Sequence, residues 1–473
     1  MRWWRPTSLL LATLLAGCAE GPLPAPPPAC GPLSRSTADG CVALAWKVSE
    51  PPLSEPGARD PVVAIDAEGR AIGAWTVDRG DRLAVRIAEE SGSGEWSSRD
   101  LAPLVGGDAS FVALRAGANG AVVAWRSATP ERAAIFTAAR AGSAWTEPST
   151  IADALSFGTT AYEPTLATNA SGEWLVTWNQ WVDTSNLYGV AITSRPDLDT
   201  PWSALPTASD LVSQPVFYSN GPVIAMNDAG EALVAWYQSL GGPLRIFASE
   251  RASGGAPFSR PTADDALSPA GSAVVGEPRV AIGSDGAAAI VWSGEAGPSD
   301  VPVFLATRSS DGAWTIPSSI EDTFSWPSGT ALRVEIALSP ANELYVVWEQ
   351  DFGTGSEVFA ARRRADGTWV EDGRHAIRLS ASGSLALAPK IAVAPSGAAV
   401  VVWQERAPGG RFRVQARSAA SADAAWAPAE NVSGELDLDD VQPVVALGVG
   451  DRGTVLFTRG AGADAHIHAA SLE

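Results

Sequence analysis

Residues 278–292 read Pro-Arg-Val-Ala-Ile-Gly-Ser-Asp-Gly-Ala-Ala-Ala-Ile-Val-Trp, and the stretch recurs with small changes at 61–75 and 389–403. Each copy has an apolar run after proline, a turn that contains glycine, and a second apolar run that ends at tryptophan. Two apolar runs joined by a tight glycine turn are typical of a β-hairpin. The sequence therefore predicts a chain built mainly from strands.

The hairpin pattern occurs eight times. Its second run ends at an aromatic residue in every copy, and neighbouring copies lie 50 to 58 residues apart: Trp75, Trp125, Trp178, Trp236, Trp292, Trp348, Trp403 and Phe457. A second aromatic series marks the start of a fourth strand: Trp46, Trp96, Trp145, Trp202, Phe258, Trp314, Trp369 and Trp426. Between the two series lies a third strand, such as 303–308. Four strands per unit at this period indicate a β-propeller, whereas a linear β-solenoid would need a capping unit at each end.

The two ends of the sequence favour the closed ring over the solenoid. Residues 466–473 align with the third strand of a unit, and residues 43–48, around Trp46, match the missing fourth strand. Pairing of these segments would remove an exposed sheet edge. The prediction is an all-β fold: a single β-propeller of eight four-stranded blades over 43–473, closed by an N-terminal strand that completes the last blade.

Two turns between third and fourth strands resemble the Asp-box of sialidase-like propellers. They are residues 309–314, Ser-Ser-Asp-Gly-Ala-Trp, and 365–369, Ala-Asp-Gly-Thr-Trp. In that family the Asp and Gly shape the turn and the Trp packs between strands. The resemblance implies a sialidase-like fold and says little about activity.

Arginines also recur, at the end of the third strand, away from the channel: Arg140, Arg195, Arg251, Arg308, Arg362 and Arg417. A sialidase needs an arginine cluster that binds the substrate carboxylate. Repetition at one structural position instead indicates packing or surface pairing.

The first seventeen residues have the anatomy of a signal peptide. Arg2 and Arg5 precede an apolar run at 8–15, which ends in Leu-Ala-Gly-Cys at 15–18. This tetrapeptide resembles the bacterial lipobox. The resemblance implies cleavage before Cys18, lipid attachment to its sulfur and a membrane anchor in the cell envelope. Residue 19 is Ala rather than Asp, which resembles sorting to the outer membrane rather than the inner one.

Residues 18–42 are predicted to link the anchor to the propeller. The proline-rich stretch 21–28 is typical of a semi-rigid spacer. With Cys18 lipidated, Cys30 and Cys41 form an even pair in an oxidising compartment. A structural disulfide is favoured over a metal or redox pair, because no other thiol exists and the spacing is not CxxC.

The formal net charge of −20 repels phosphate backbones, so nucleic acid is not expected as a partner. We find no nucleotide, phosphate-loop or zinc motif, and we expect no cofactor, no metal and a monomer. His466 and His468 alternate onto one face of a strand. Two ligands without a third are a weak metal signal, so they are interpreted as surface residues of the closing blade.

In a propeller, first strands start and second strands end at the same face, around the channel. This rule predicts a binding rim of acidic and aromatic residues: Asp60, Glu163, Glu277, Glu335, Glu349, Glu405, Trp181 and Trp326. Aspartates in the loops before the first strands, such as Asp153 and Asp210, extend it. The rim would suit a cation, a sugar or a cationic protein surface, although loops of an acidic protein also carry such residues as a plain solvated face.

The leading functional interpretation is a non-catalytic binding platform for a protein or glycan ligand. The alternatives are a glycan-active hydrolase or lyase of sialidase-like form, and a scaffold component of an envelope assembly. No catalytic residue is assigned, because the tyrosines include no obvious nucleophile and sequence does not give the separation of two carboxylates.

Cys18→Ser is expected to abolish lipid attachment, because serine lacks the sulfur that carries the lipid. The variant should leave the membrane fraction or keep its signal peptide, as read by cell fractionation and intact mass. Cys30→Ser is the control and should stay in membranes. Unchanged partition and mass of the Cys18 variant would contradict the anchor.

Overall fold

The computed structural model describes residues 33–472 except 38–39, 93, 102–106, 184–186, 205–206, 215–217, 298–299, 326–328 and 372–375. The protein is all-β, with 53% strand and eight blades in a ring. Within the described part of the chain, no helix has the length and apolar character needed to span a membrane. Cys18 and Cys30 lie outside the described residues, so lipidation and the disulfide remain predictions.

The blades are sheets whose strands are antiparallel and run in sequence order from the channel outward, with two exceptions. The outer strand of blade 8 comes from the segment before the first blade, and a short strand at Asp300–Val301 pairs in parallel with the first strand of blade 6. Before the ring, β1 (Ser34–Thr37) and β2 (Gly40–Ala43) form a hairpin, and β3 (Trp46–Val48) follows. Blade 1 contains β4 (Ala58–Ile65), β5 (Ala71–Asp78), β6 (Leu83–Glu90) and β7 (Trp96–Asp100), and blade 2 contains β8 (Asp108–Gly117), β9 (Gly120–Ala128), β10 (Ala133–Ala141) and β11 (Ala144–Thr146). Blade 3 contains β12 (Ala161–Thr168), β13 (Trp174–Val182) and β14 (Leu187–Arg195), and blade 4 contains β15 (Ser219–Met226), β16 (Ala232–Ser239) and β17 (Leu244–Arg251).

Blades 5 to 8 continue the order. Blade 5 contains β18 (Arg279–Ile282), β19 (Ala288–Ser293), β21 (Val303–Arg308) and β22 (Trp314–Thr315), and the short β20 (Asp300–Val301) lies between β19 and β21 in the chain. Blade 6 contains β23 (Gly329–Leu338), with which β20 pairs in parallel, β24 (Leu344–Asp351), β25 (Ser356–Arg363) and β26 (Ile377–Arg378). Blade 7 contains β27 (Leu385–Val393), β28 (Ala399–Arg406), β29 (Arg413–Ala419) and β30 (Glu430–Asn431), and blade 8 contains β31 (Asp440–Leu447), β32 (Gly453–Arg459) and β33 (His466–Leu472). Short 3-10 helices span Ile151–Asp153, Ala263–Asp265, Val449–Asp451 and Gly462–Asp464.

The predicted ring closure is confirmed. Strand β3 is the fourth strand of blade 8, and its Trp46 lies opposite Leu472, with Val48 opposite Ala470. The pairing continues beyond β3, because the Ser49 amide donates to the Ala469 carbonyl at 2.8 Å. Both ends of the ring therefore belong to one sheet.

The fourth strand is weakest in blades 3 and 4. There, among the described residues, the outer segment is tied to the third strand by the Ser203 amide on the Ser194 carbonyl (2.7 Å) and the Ser259 amide on the Glu250 carbonyl (2.8 Å). Pro201 and Pro257 stand two residues before these serines. Proline lacks the amide that a β-ladder requires, which shortens the outer strand.

Buried aromatics and ion pairs join neighbouring blades. The second-strand tryptophans such as Trp236 are fully buried between blades, where each contributes roughly 2–3 kcal/mol of apolar burial. Three of the recurring third-strand arginines bind the preceding blade: Arg140 to Asp66 at 2.7 Å, Arg251 to Glu173 at 2.7 Å and Arg308 to Glu250 at 2.6 Å. Two others bind within their own blade, where Arg195 lies over the Trp202 ring and Arg362 pairs with Glu371. Their repetition therefore reflects packing.

His468 is buried, with 5% of its surface exposed, although a surface position was expected. Because β3 pairs with β33 on its outer side, the strand is internal to the sheet, and the imidazole stacks on Phe457 at 5.7 Å. Burial, Arg459 and His466 lower the pKa of His468 to about 4. His466 instead contacts the Ser54 carbonyl at 3.0 Å. In the described residues, no three His, Cys, Asp or Glu side chains are grouped to hold a metal ion.

The depressed pKa of His468 predicts acid destabilisation of the closing blade. Unfolded histidine takes up its proton near pH 6.5 and folded His468 only near pH 4, so the unfolded state binds more protons between these values. Stability should fall by roughly 3 kcal/mol as the pH drops through this window. His468→Phe keeps a ring on Phe457 and removes the titration, so its urea-unfolding free energy should depend less on pH. Identical pH dependence of the two proteins would refute the assignment.

Candidate functional site

The mouth of the channel is the end where first strands start and second strands end. At the mouth a β-bulge in seven blades places one residue in the left-handed region, with φ from 49° to 60°: Asp60, Phe111, Glu163, Gly221, Arg333, Ala388 and Gln442. Glu277 holds the same sequence position in blade 5. A non-glycine residue in this region costs about 1–2 kcal/mol. The repeated strain marks the mouth as the place where side chains are redirected.

Side chains of the preceding blade bind the backbone at several bulges. Gln404 Oε1 accepts the amide of Gln442 at 2.8 Å, and Glu349 Oε2 accepts that of Ala388 at 3.1 Å. Glu349 is buried and also pairs with Arg333 at 2.6 Å. Glu349, predicted as a rim residue, therefore holds two blades together and does not face a ligand.

A second structural role belongs to the residue two positions after the second-strand tryptophan. Its side-chain oxygen accepts the buried indole N–H in four blades: Gln180 for Trp178, Gln238 for Trp236, Gln350 for Trp348 and Glu405 for Trp403. Where that position is Val77 or Gly294, the indole nitrogen of Trp75 or Trp292 lacks a hydrogen-bond partner in the described structure. Glu405, another predicted rim residue, thus supports the core.

The remaining predicted residues lie at different depths. Asp60 is at the mouth and accepts from Gln442 Nε2 at 3.0 Å. Glu335 lies inside the channel, where it pairs with Arg279 at 3.3 Å and with Lys390. Trp326 lies outside the described residues. Glu163, Glu277 and Trp181 are the three that the fold brings together on one side of the mouth.

The loop aspartates shape turns. Each accepts the backbone amide of the Ser or Thr three residues earlier: Asp153 from Thr150, Asp210 from Thr207, Asp265 from Thr262 and Asp322 from Ser319. These hydrogen bonds lower the pKa of each aspartate. They explain why aspartate repeats here without a ligand.

An aromatic cluster lines the mouth over blades 2 to 4. Tyr188 is at its centre, with ring centroids 5.0 Å from Trp181, 5.7 Å from Tyr162 and 6.0 Å from Tyr218, and Phe111 meets Tyr162 at 6.4 Å. Phe111 and Tyr218 are 47% and 36% exposed, so the cluster presents rings to solvent. The sequence-based rule that first strands start and second strands end at the mouth (the strand-end rule) missed Tyr188, because Tyr188 is on a third strand. The available signal was that four of the five tyrosines fall between 162 and 237.

Glu163 lies beside the aromatic cluster. Its Oε2 accepts from Asn179 Nδ2 at 3.1 Å, and its carboxyl also accepts the Gly221 amide. Burial, followed by the charge of Glu277, raises the pKa of Glu163. Its carboxyl therefore holds a proton more tightly than an ordinary glutamate.

Glu277 and Tyr237 approach the same point from the next two blades. A Cβ on Gly221 would lie 2.7 Å from Tyr237 Cε1 and 3.1 Å from Glu277 Cγ, so glycine is needed for this approach. Glu277 is held by Arg279 Nη1 at 3.2 Å. Burial, with Tyr218 and the two glutamates, raises the pKa of Tyr237 to about 12, so its phenol stays protonated.

The channel below the mouth has a volume of about 460 Å³. This falls in the range of pockets that bind small ligands, and its walls combine apolar side chains with few charged ones. Arg126 stacks over Tyr162 at 4.6 Å, and Asn220 donates to the Tyr218 hydroxyl at 3.0 Å. The arrangement offers aromatic faces, amides and a proton-holding carboxyl to one ligand.

No protein-family model matches this chain, and no curated protein matches it. Solved structures to which the chain is similar include a PL25 ulvan lyase (TM-score 0.49, 9% identity, 89% of this chain and 95% of that one) and the Hadza microbial sialidase Hz136 (0.39, 13%, 80% and 76%). A protein of unknown function from Dyadobacter fermentans is similar at a TM-score of 0.43 and 11% identity, over 88% and 95% of the chains. The eight-bladed propeller therefore has structural neighbours among sialidases and polysaccharide lyases, all of them distant. Likeness at this level shows the fold alone.

Substitutions of Glu405 test whether this side chain stabilises the fold through its hydrogen bond with the Trp403 indole, rather than binding a ligand. Glu405→Gln keeps an oxygen for the Trp403 indole, as three other blades do, and gives up only the exposed hydrogen bond that the Ala381 amide donates to the other oxygen. It should therefore change the unfolding free energy by less than about 1 kcal/mol. Glu405→Ala leaves the indole N–H unpaired and should cost about 1–3 kcal/mol in chemical denaturation. Equal stability of the two variants would show that the hydrogen bond does not matter.

Proposed function

We propose that the protein is a glycan-active enzyme of the hydrolase type, with the channel mouth as its active site and Glu163 as its proton donor. The observation that carries the proposal is the raised pKa of Glu163 beside a second carboxylate and an exposed aromatic cluster. A carboxyl whose pKa is raised keeps its proton to higher pH than an ordinary glutamate, and such a proton donor is what acid-assisted cleavage of a glycosidic bond requires.

The mouth suits a carbohydrate on general chemical grounds. A sugar ring has apolar C–H faces, which pack on exposed rings such as Phe111 and Tyr218. Its hydroxyls need partners that donate and accept hydrogen bonds, and the half-buried Asn220 and the Tyr218 hydroxyl to which it donates lie at the same place. The cluster is therefore proposed as the surface that positions the sugar next to Glu163.

The two carboxyl groups divide the reaction between them. Protonated Glu163 would give its proton to the leaving glycosidic oxygen, while Glu277, which pairs with Arg279, would either activate a water or attack the anomeric carbon. A β-eliminating lyase with a tyrosine base needs a phenol that loses its proton readily. Tyr188 and Tyr237 both have raised pKa values, which favours hydrolysis over that route.

The proposal predicts a sharp effect of Glu163→Gln. The amide keeps the size of the side chain but cannot donate the proton, so kcat on a cleaved glycan should fall by roughly a hundredfold or more while the KM changes little. The wild-type rate should decline as the pH rises above the raised pKa of Glu163. Reducing-end release from a panel of polysaccharides gives the measurement, and Glu131→Gln, an exposed glutamate elsewhere, is the matched control.

The assay also separates the alternatives. Glycan binding without product in the wild-type protein would support a non-catalytic platform and overturn the hydrolase proposal. A product with a new carbon–carbon double bond, seen by its ultraviolet absorbance, would indicate a lyase. Equal rates for wild type and Glu163→Gln would remove Glu163 from the reaction.

We further propose that the protein is a lipid-anchored envelope protein whose mouth faces away from the membrane. The Leu33 amide donates to Asp451 Oδ2 at 2.8 Å, and Asp451 lies in the turn between the first and second strands of blade 8. These turns lie on the face opposite the mouth. An anchor at Cys18 would therefore approach from that side and leave the mouth open to large glycans.

A further inference from the structure

One position of the first strand breaks the repeat inside the channel. Four residues after the bulge residue, blade 2 carries Arg115, and the other blades all carry alanine: Ala64, Ala167, Ala225, Ala281, Ala337, Ala392 and Ala446. The strand pairing shows that these eight positions are equivalent. In every blade the residue lies opposite the second-strand residue that comes three positions before the aromatic, as Arg115 lies opposite Val122. A single long cation thus stands where every other blade has a methyl group.

Arg115 projects into the lumen and leaves most of its donors free. It lines the channel and is exposed there, and its Nε donates to the Leu166 carbonyl of blade 3 at 3.3 Å. Across the part of the chain that the structure describes, its terminal nitrogens have no hydrogen bond and no carboxylate lies within 4.0 Å. Two parallel N–H groups therefore face the lumen without a protein partner.

The carboxylates of the channel are already engaged. Glu335 binds both Arg279 and Lys390, and Glu277 binds Arg279. The Arg115 side chain is open to the lumen, but the channel walls surround it, and this enclosure lowers its pKa. Across the lumen, Glu335 is the acid whose charge acts on Arg115, and it only partly offsets this effect. A confined cation without a counterion is costly, so the site favours an anion from outside the chain.

We propose that the channel contains a binding site for a small oxoanion at Arg115, which would take a carboxylate, sulfate or phosphate group. The guanidinium fork matches two oxygens of such a group, and the low-dielectric walls strengthen the attraction. Four strand residues place this site about 13 Å below the bulge layer. It is therefore separate from the mouth and does not depend on the glycan cleavage proposed above.

The test is a titration of the full protein with inorganic sulfate, followed by calorimetry and by thermal unfolding. Sodium chloride at matched ionic strength corrects for screening and for the general effect of salt on stability. Wild type should show saturable binding and a Tm that rises with the logarithm of sulfate concentration. The assay needs no glycan, so its result stands whatever the glycan assays give.

Arg115→Ala is the decisive variant, because alanine is the residue that the other seven blades use. It should fold and lose saturable sulfate binding, a weakening of roughly tenfold or more. Arg115→Lys keeps the charge without the fork and should bind at intermediate strength, whereas Arg99→Ala, an exposed outer-strand change, should bind like wild type. Unchanged saturable binding in Arg115→Ala, or no saturable binding in wild type, would overturn the proposal.

Competition identifies the source of the anion. If oligogalacturonate displaces sulfate and a neutral oligosaccharide does not, the anion is carried on a glycan that extends down the channel. If neither displaces sulfate, the site serves a free small anion. Either result upholds the site at Arg115, whereas displacement by the neutral sugar alone would place sulfate at the mouth and contradict it.

Discussion

The pairing of β3 with β33 is the constraint on which the rest of the molecule depends. Trp46 opposite Leu472 brings the two ends of the ring into one sheet, so blade 8 has an outer strand and the channel has a closed wall. Only a closed ring brings side chains of blades 2 to 6 to one mouth. Residues as distant in sequence as Glu163 and Lys390 therefore line the same space, although each blade alone is a simple sheet.

Within this ring, the side chains that recur at the same position in several blades have structural roles, whereas the candidate functional residues are side chains that most blades lack. Three features recur because they serve the blades themselves. The oxygens two residues after the tryptophans accept a buried indole N–H in four blades, third-strand arginines tie neighbouring blades in three places, and the loop aspartates close turns. Tyr188, Glu163 and Arg115 have no equivalent in most blades. Since a blade folds without them, their presence is not explained by the needs of the blade, and they lie at the mouth and in the channel.

The fold was readable from the sequence because the period-two strands and two aromatic series repeat eight times. The site was readable only in part. Glu163 and Glu277 followed from the strand-end rule, but that rule also selected Glu405, since sequence does not show that an oxygen there is bound by the indole of Trp403. Tyr188 was missed because the rule considered only where first strands start and second strands end, whereas the third strand starts at the same face, with Tyr188 opposite Trp181.

The channel is electrostatically asymmetric, and the asymmetry gives a ligand a defined orientation. The first-strand position two residues after the bulge residue is charged in three blades, which carry Arg279, Glu335 and Lys390 in blades 5 to 7. The other five blades carry small or apolar residues at this position: Val62, Ala113, Thr165, Val223 and Val444. These three charged residues line the same lumen as Phe111 of the aromatic cluster. A ligand there thus meets both aromatic rings and fixed charges. Because Glu335 is held between two cations, its negative charge is retained on burial and the three charged residues keep their field whether or not a ligand is present.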